Sequence, residues 1–407
     1  MTTVTSLDAT VDTLVRASPD WLATLRQQAW AQYGAIPYPE GREEHWRFTD
    51  VAAIKPENFR LSEESAATVS LEAPDEAAAS GVIYCDLDTA IAEHADLLRP
   101  RLGSLVGATD PFTALSLASH RGGTFMYVPA GVELTAPFHA THTISADTAG
   151  AAILPRTVVI VEDNAKVVFN DVYSSGPMSE STLAAPVVEM FIGKGANVGW
   201  VTYQDWGPGV KHVANVRASL DRDALLNTLV VTLGGDFSRT WKECTLAGEG
   251  ANSFMYGLYF AHGDQRFEHW TLQDHASPHT TSDLLYKGAL NDTSQALYYG
   301  TIRIRKDSFR SDAYQANRNL VLSPKARALP NPQLEIENND VRCTHGATVG
   351  QIDADHLFYL QSRGIPLEEA KRLIVFGFFN QVLDQVKWSG MQDRLADAIR
   401  DKMEAEG

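Results

Sequence analysis

From about Thr124 onward, short apolar or alternating runs are separated by tight polar turns. The run 157–161 precedes the turn 162–165, and the run 187–192 precedes the turn 193–196. Similar turns follow at 221–224, 248–251, 291–294 and 323–326. Where the turns are regular, they lie roughly 30 residues apart, which is a spacing typical of solenoids. A unit of this size cannot bury its apolar face alone, so successive units are expected to stack.

The runs are rich in Val, Ile, Thr and Tyr, and no helical pattern separates them. These residue types favour strands, and the missing helices argue against a doubly wound α/β sheet. A parallel β-helix accounts for the recurring corner turns. On the pattern alone, a β-sandwich remains the alternative.

Helical patterns lie on both sides of this segment. Near the start, Ser18 and Pro19 suit a helix N-terminus and Gly34 a helix end, with apolar residues on one face between them. A second helix is predicted from Asp110-Pro111 to the Gly122-Gly123 pair. The connection 62–79 is rich in Glu, Ala and Ser, so we predict a surface segment there.

After Gly350 the helix signals return. Asp353 can cap a helix that ends at Gly364, and Pro366 can open another. This last helix contains the stretch 373–379, which is apolar on all sides. Such a helix needs cover on every side, either from the chain's own solenoid or from a partner protein.

Composition narrows the range of partners and compartments. The 407 residues carry 51 acidic and 34 basic side chains, and a net charge of −17 argues against nucleic-acid binding. We expect no membrane association, since no apolar stretch reaches membrane-spanning length and no secretory signal is visible. The three cysteines, Cys85, Cys244 and Cys343, lie far apart and fit a reducing cytoplasm rather than a disulfide framework.

Cys343 and His345 are the most informative pair of side chains. In an extended strand, residues two apart share a face, so this thiol and imidazole could address one metal ion together. A buried thiol beside a hydrogen-bonded histidine is the ordinary alternative. A second group of possible metal ligands consists of four histidines, His262, His269, His275 and His279. Pro278 argues against a helix that would pair His275 with His279, so we expect these histidines to have structural roles. No nucleotide loop, nucleophile elbow or acid–base constellation is visible, so we predict a protein that is not an enzyme.

Three separated motifs in the chain resemble the SufB/SufD family of iron–sulfur cluster assembly proteins, and specifically its SufD branch. They are the segments 44–50 (Glu-His-Trp-Arg-Phe-Thr-Asp), 274–282 (Asp-His-Ala-Ser-Pro-His-Thr-Thr-Ser) and 334–365, which includes Cys-Thr-His-Gly-Ala-Thr and Leu-Phe-Tyr-Leu-Gln-Ser-Arg-Gly-Ile. SufB-type members carry a cysteine where Ala326 stands and a glutamate where Gly346 stands. These departures favour the SufD branch.

The resemblance implies a mainly β fold, a right-handed parallel β-helix over 124–350. A mostly helical region, 1–123, would precede it, and a helical partner-docking region, 351–407, would follow. The implied function is that of a non-catalytic scaffold subunit that pairs with a SufB-like subunit and a SufC-like ABC ATPase. Leu373, Phe376, Phe378 and Phe379 would dock the ATPase, and His345, with Cys343 beside it, would hold iron or a nascent cluster.

We expect no stable cofactor in the isolated chain, because three scattered thiols cannot supply four thiolates. Iron or a transient cluster would be held only in the assembled complex, and the isolated chain could form a homodimer. Two functions of other classes remain open. A carbohydrate-active β-helix enzyme would need clustered carboxylates on one solenoid face, and a homodimeric metal-binding protein would use Cys343, His345 and further histidines.

Overall fold

The computed structural model describes residues 7–61, 67–389 and 391–404. Its centre is a parallel β-solenoid of about eight turns with helices at both ends of the chain. Strands that alternate along the chain build two sheets, here called sheet A and sheet B. The predicted β-helix is therefore confirmed, and the β-sandwich is excluded by the parallel pairing of successive turns.

Sheet A contains nine strands in one continuous path and three short strands beside it. The path runs through β3 (Ile83–Asp86), β4 (Thr124–Val128), β7 (Arg156–Val161), β10 (Val187–Ile192), β12 (Val210–Leu220), β14 (Phe237–Leu246), β16 (Arg266–His275), β18 (Gln295–Ile304) and β20 (Arg327–Ile336). The short strands are β1 (Arg60–Leu61), β6 (Ala151–Ile153) and β9 (Thr182–Ala184).

Sheet B contains nine strands in one path. They are β2 (Ala67–Glu72), β5 (Phe138–Ile144), β8 (Lys166–Ser175), β11 (Asn197–Asp205), β13 (Leu225–Thr232), β15 (Asn252–Ala261), β17 (Thr281–Leu290), β19 (Asp312–Val321) and β21 (Arg342–Gln351).

The corner turns have a repeated chemistry that explains the sequence pattern. The third residue of four turns lies in the left-handed region, where Gly, Asn and Asp are tolerated best: Asn164 (φ 58°), Gly195 (64°), Asp223 (57°) and Gly250 (75°). The fourth residue is in each case an alanine that turns into the core: Ala165, Ala196, Ala224 and Ala251. Each tetrapeptide therefore reverses the chain and begins the next inward-facing row.

The interior is packed by columns of equivalent side chains. The parallel register places Val159, Met190, Ala218 and Cys244 directly above one another, and all four are buried in one cluster. Burial at matching positions stabilises one register, because a slip by one residue would turn each inward side chain outward.

The described residues of the N-terminal region contain five α-helices, one 3-10 helix (Pro56–Asn58) and three strands. The helices are α1 (Leu7–Ala17), α2 (Asp20–Ala35), α3 (Leu87–Glu93), α4 (Ala95–Leu98) and α5 (Pro111–Ser119). As predicted, Asp110 caps α5, and its carboxylate accepts hydrogen bonds from the backbone N–H groups of Phe112 and Thr113. The predicted surface connection 62–79 was wrong in part. Its residues 67–72 form strand β2, which pairs antiparallel with β5, while 62–66 lie outside the described residues.

The C-terminal region packs along the outer face of sheet B. Its helices are α6 (Ala354–Ser362), α7 (Leu367–Leu383) and α8 (Gln392–Glu404), with a short 3-10 helix between α7 and α8. Apolar side chains of α7 and α8 form one buried cluster with outward-facing residues of the sheet, including Leu229, Leu258 and Phe260. Within the described ranges, no helix has the length and apolar character needed to cross a membrane.

Candidate functional site: the open end of the solenoid

Strands β20 and β21 form the last turn of the solenoid, and among the described residues no further turn covers them. In the preceding strand β19, Ala313, Gln315 and Asn317 face the interior and are buried. Their register partners in β21, Cys343, His345 and Ala347, are half-buried or exposed. The change occurs because the side chains at the open end have neighbours on one side only.

The backbone of β21 presents a free edge. The N–H of Arg342 donates to the carbonyl of Ser311, so the even-numbered residues of the strand face β19. By the alternation of a parallel ladder, the backbone groups of Cys343, His345 and Ala347 point away from it. These groups are available to a further strand.

The edge of β20 differs in chemistry. The N–H of Arg327 donates to Ser294, so the odd-numbered residues of β20 face β18 and the even-numbered residues face outward. Two of the outward positions are Pro330 and Pro332, which have no N–H to offer. The edge of β21 is therefore the better template for strand addition.

The structure brings Cys343 and His345 together as the i, i+2 spacing predicted. Both are paired in register with inward-facing residues of β19, namely Ala313 and Gln315. The Cys343 side chain packs against a small apolar cluster that includes Ile302 and Ile304. Desolvation by burial, with a smaller contribution from Asp312, raises the pKa of the Cys343 thiol to about 11. His345 is exposed.

These two donors do not make a complete metal site. Across the described residues, no group of three or more His, Cys, Asp or Glu side chains is placed to hold a metal ion. A metal ion bound at His345 would therefore need further ligands from outside the described residues of this chain.

The four residues predicted to dock an ATPase are not equivalent. Leu373 is 46% exposed, and Phe376 and Phe378 are half-buried. Phe379 is fully buried and packs against Phe260 of the solenoid, with 6.4 Å between the ring centroids. Phe379 therefore belongs to the chain's own core, because only one side of α7 faces away from sheet B. Its assignment to a docking surface is corrected.

Other exposed apolar residues of the C-terminal helices were not singled out by the sequence. They are Phe358 (73% exposed), Tyr359 and Leu367. Together with Leu373 they make up what is called here the α6–α7 apolar set. The sequence carried a signal for it, since Phe358 and Tyr359 lie within a family motif, but periodicity did not show which side of the helices was covered.

The histidines between 262 and 279 occupy separate environments. His275 is buried, and its ring nitrogens lie 2.7 Å from the Thr280 hydroxyl and 2.8 Å from the Ser282 hydroxyl. His269 is buried beside Tyr259 at a ring distance of 4.8 Å. His279 has a φ of 58° in a turn. This arrangement supports the structural roles that the sequence favoured.

The motif 44–50 anchors the N-terminal region on the outer face of sheet A. The Thr49 hydroxyl donates to the buried Glu268 carboxylate at 2.7 Å. Arg239 donates to the same carboxylate at 2.7 Å and to the His45 carbonyl at 2.7 Å. A buried ion pair with satisfied hydrogen bonds thus fixes this segment, a role that the sequence alone did not indicate.

The fold and its surfaces define a parallel β-solenoid protein whose last turn no described element caps and whose C-terminal helices expose apolar residues. Residues 142–378 match the family described as SUF system FeS cluster assembly, SufBD core domain. The chain therefore belongs to the SufB/SufD family of iron–sulfur cluster assembly proteins, in its SufD branch.

Individual relatives agree with this assignment. An iron–sulfur cluster assembly SufBD family protein of Mycobacterium tuberculosis is 32% identical over 91% of this chain and 90% of its own length. The iron–sulfur cluster assembly protein SufD of Bacillus subtilis is 28% identical over 95% of this chain and 94% of its own. A SufBD family protein of Synechocystis is 28% identical over 93% of this chain and 90% of its own length.

Proposed function

We propose that this chain is a non-catalytic scaffold subunit of an iron–sulfur cluster assembly complex, which pairs with a SufB-like subunit and a SufC-like ABC ATPase. The observation that carries the proposal is the last turn of the solenoid, which no described element caps. It combines a free strand edge with exposed apolar side chains, including Val349 at 49% and Ile336 at 44%. Edges of this kind are normally covered or paired, because they otherwise promote aggregation.

The SufB-like partner would add a strand to the edge of β21. Backbone hydrogen bonds would supply affinity, and the inward-facing side chains at the open end would pack against those of the partner. This arrangement would cover the apolar end and continue the solenoid into the second subunit.

Iron or a nascent cluster would be held at this junction, as substrate of the assembly reaction. His345 supplies an exposed imidazole, a ligand type that suits iron, and the partner supplies the remaining donors. Cys343 is the weaker candidate, because its raised pKa keeps the thiol protonated in the isolated chain. Ala326, at a position where SufB-type members carry a cysteine, offers no ligand. A lone chain is therefore expected to hold no stable cluster.

The ATPase would dock on the α6–α7 apolar set. Phe358 and Leu373 expose apolar surface that no described residue covers. Nucleotide binding to the docked ATPase would then favour one arrangement of the two scaffold subunits over another, and so change the junction between them. The three free cysteines fit a reducing, cytoplasmic setting for such a complex.

Co-expression with SufB-like and SufC-like proteins of the same host, followed by co-purification and native mass measurement, tests the proposal. We expect a stable complex that contains this chain, the SufB-like subunit and the ATPase. The isolated chain gives the control, and its native mass shows whether it forms a homodimer. A chain that co-purifies with neither protein would contradict the proposal.

Anaerobic reconstitution of the isolated chain provides a second readout. We expect no chelator-resistant cluster. A stoichiometric cluster on the lone chain would instead favour the alternative of a homodimeric metal-binding protein.

A further inference from the structure

A groove of about 490 Å³ lies on the outer face of sheet A, away from the open end's inward-facing side chains. Side chains of the sheet A strands β12, β14, β16, β18 and β20 line it, together with Glu44 and His45 of the anchored motif and residues 104–105. Its volume lies within the range of about 300–1,000 Å³ that is usual for small-molecule sites. The proposed scaffold function does not involve this groove.

Three stacked aromatic rings underlie one side of the groove, of which Trp241 is partly exposed and Trp270 and Tyr299 are buried. Trp241 and Trp270 are parallel within 3° at a centroid distance of 5.5 Å, and Trp270 and Tyr299 stack at 4.1 Å. His45 stands edge-on to all three rings, at 5.1 to 5.9 Å. Within the described part of the chain, the indole N–H of the buried Trp270 has no hydrogen-bond partner. This nitrogen is buried, so the stack presents to a ligand the partly exposed ring of Trp241 and not the Trp270 donor. An aromatic ring beside polar groups is a usual composition of a binding site for an amphipathic ring.

Paired charges form the other side. Arg217 lies 3.0 Å from Glu243, and Arg303 lies 2.7 Å from Glu335. Arg305 holds Asp274 through two hydrogen bonds, at 3.0 and 2.6 Å. Each pair places arginine donors beside carboxylate acceptors, with further donors and lone pairs left over. A hydroxyl group matches such a pair, because it can donate to the carboxylate and accept from the guanidinium at once.

The balance of charge decides the class of ligand. Three arginines and four carboxylates line the groove. A phosphate would therefore meet a surplus of negative charge, and a cation would meet the three guanidinium groups. A neutral ligand avoids both costs.

We propose that this groove binds a neutral ring compound with several hydroxyl groups, either a sugar or the ribose of an uncharged nucleoside. The ring lies against Trp241, which Trp270 and Tyr299 support from behind, and its hydroxyl groups bond to the Arg–carboxylate pairs. The carboxylates that a carbohydrate-active enzyme would require do cluster on this face, but each of the three on the sheet is tied to an arginine. The assignment is therefore binding rather than hydrolysis, and it does not depend on the scaffold role.

Titration of the purified full chain with maltose, cellobiose, adenosine, uridine and ATP tests the proposal, with saturation-transfer NMR and calorimetry as readouts. We expect saturable binding of at least one neutral probe and weaker binding of ATP than of adenosine. Binding of a disaccharide identifies a sugar site, and binding of a nucleoside alone identifies a ribose site. The proposal is overturned if no neutral probe saturates the protein or if ATP binds more tightly than adenosine.

Two variants locate the binding. Glu335→Gln removes one charged acceptor from a half-exposed position, and Trp241→Leu removes one ring of the wall. Each is expected to weaken binding about tenfold, the effect of losing one hydrogen bond to a charged group or one ring contact. Glu337→Gln is the matched control, since Glu337 is close in sequence but does not line the groove. Circular dichroism checks that each variant is folded. Unchanged affinity in both folded variants would place the ligand elsewhere.

Discussion

At the scale of single residues, the open end depends on the alternation of β21. Cys343, His345 and Ala347 share the face that continues the solenoid interior, while Thr344 points to the opposite face. One strand thus combines a half-buried thiol, which packs against the chain's own core, with an exposed imidazole that is free to meet a partner.

The variant His345→Ala is expected to lower the rate of cluster formation in the assembled complex without preventing assembly, because alanine offers iron no ligand. Cys343→Ala should have a smaller effect, since a small apolar side chain can replace the thiol in its packing. Cluster formation is measured by absorbance and by maturation of a target protein. Thr344→Ala, on the other face of the same strand, is the control. A normal rate with His345→Ala would make the residue merely structural.

A second residue-scale prediction concerns pH. Burial lowers the pKa of His275 to about 4 from its ordinary 6.5. As the pH falls through this interval, the unfolded chain takes up a proton that the native protein does not, so the free energy of unfolding decreases. Urea unfolding at several pH values measures this slope. His275→Gln should make it shallower, whereas the exposed control His356→Gln should not. Equal slopes for His275→Gln and the natural protein would contradict the prediction.

At the scale of elements, α7 serves two purposes. Val375 and Phe379 are fully buried against sheet B, and Leu373, on another side of the helix, is 46% exposed. The all-round apolar sequence of 373–379 therefore combines part of the chain's own core with an exposed apolar side chain.

We expect Leu373→Asp to abolish ATPase binding while the chain stays folded. Phe379→Asp should instead destabilise the chain by several kcal/mol, because it buries an unpaired charge. Pull-down with the ATPase and urea unfolding measure the two effects separately. Ser70→Asp adds the same charge at an exposed position of β2, at the other end of sheet B, and serves as the control. Normal pull-down of folded Leu373→Asp would rule out this surface.

At the scale of the whole molecule, the solenoid has unequal ends. The first turns are covered by the antiparallel strands β2 and β3, whereas the last turn ends in the parallel strands β20 and β21 with no described cap. The molecule therefore has one end suited to continuation by a second subunit.

The variant Ala347→Pro tests strand addition directly. In the natural protein, the N–H of Ala347 faces away from β19. Proline at this position should therefore remove one hydrogen bond to the partner and leave the hydrogen bonds between β21 and β19 intact. We expect binding of the SufB-like subunit to weaken about three- to tenfold, as loss of one backbone hydrogen bond implies. Ala347→Thr keeps the N–H and should bind normally. Equal binding of both variants would show that the partner does not pair with this edge.

Much of the fold was determined by the sequence itself. In four corner turns, the Asn, Asp or Gly in the third place and the alanine after it specify where the coil reverses, and β-branched runs between the turns specify strands. Asp110 and Asp353 likewise mark helix starts that the structure confirms. These features are local, so a short stretch of sequence is enough to define them.

The tertiary structure decided what covers each face. Periodicity shows that one side of a strand or helix is apolar, but it does not show which distant segment packs there. Only the packing of α7 on sheet B separated Phe379 from Leu373, and only the pairing with β5 made a strand of 67–72. The groove beside Trp241 likewise joins residues 44 and 335, whose proximity depends on solenoid stacking and not on local sequence.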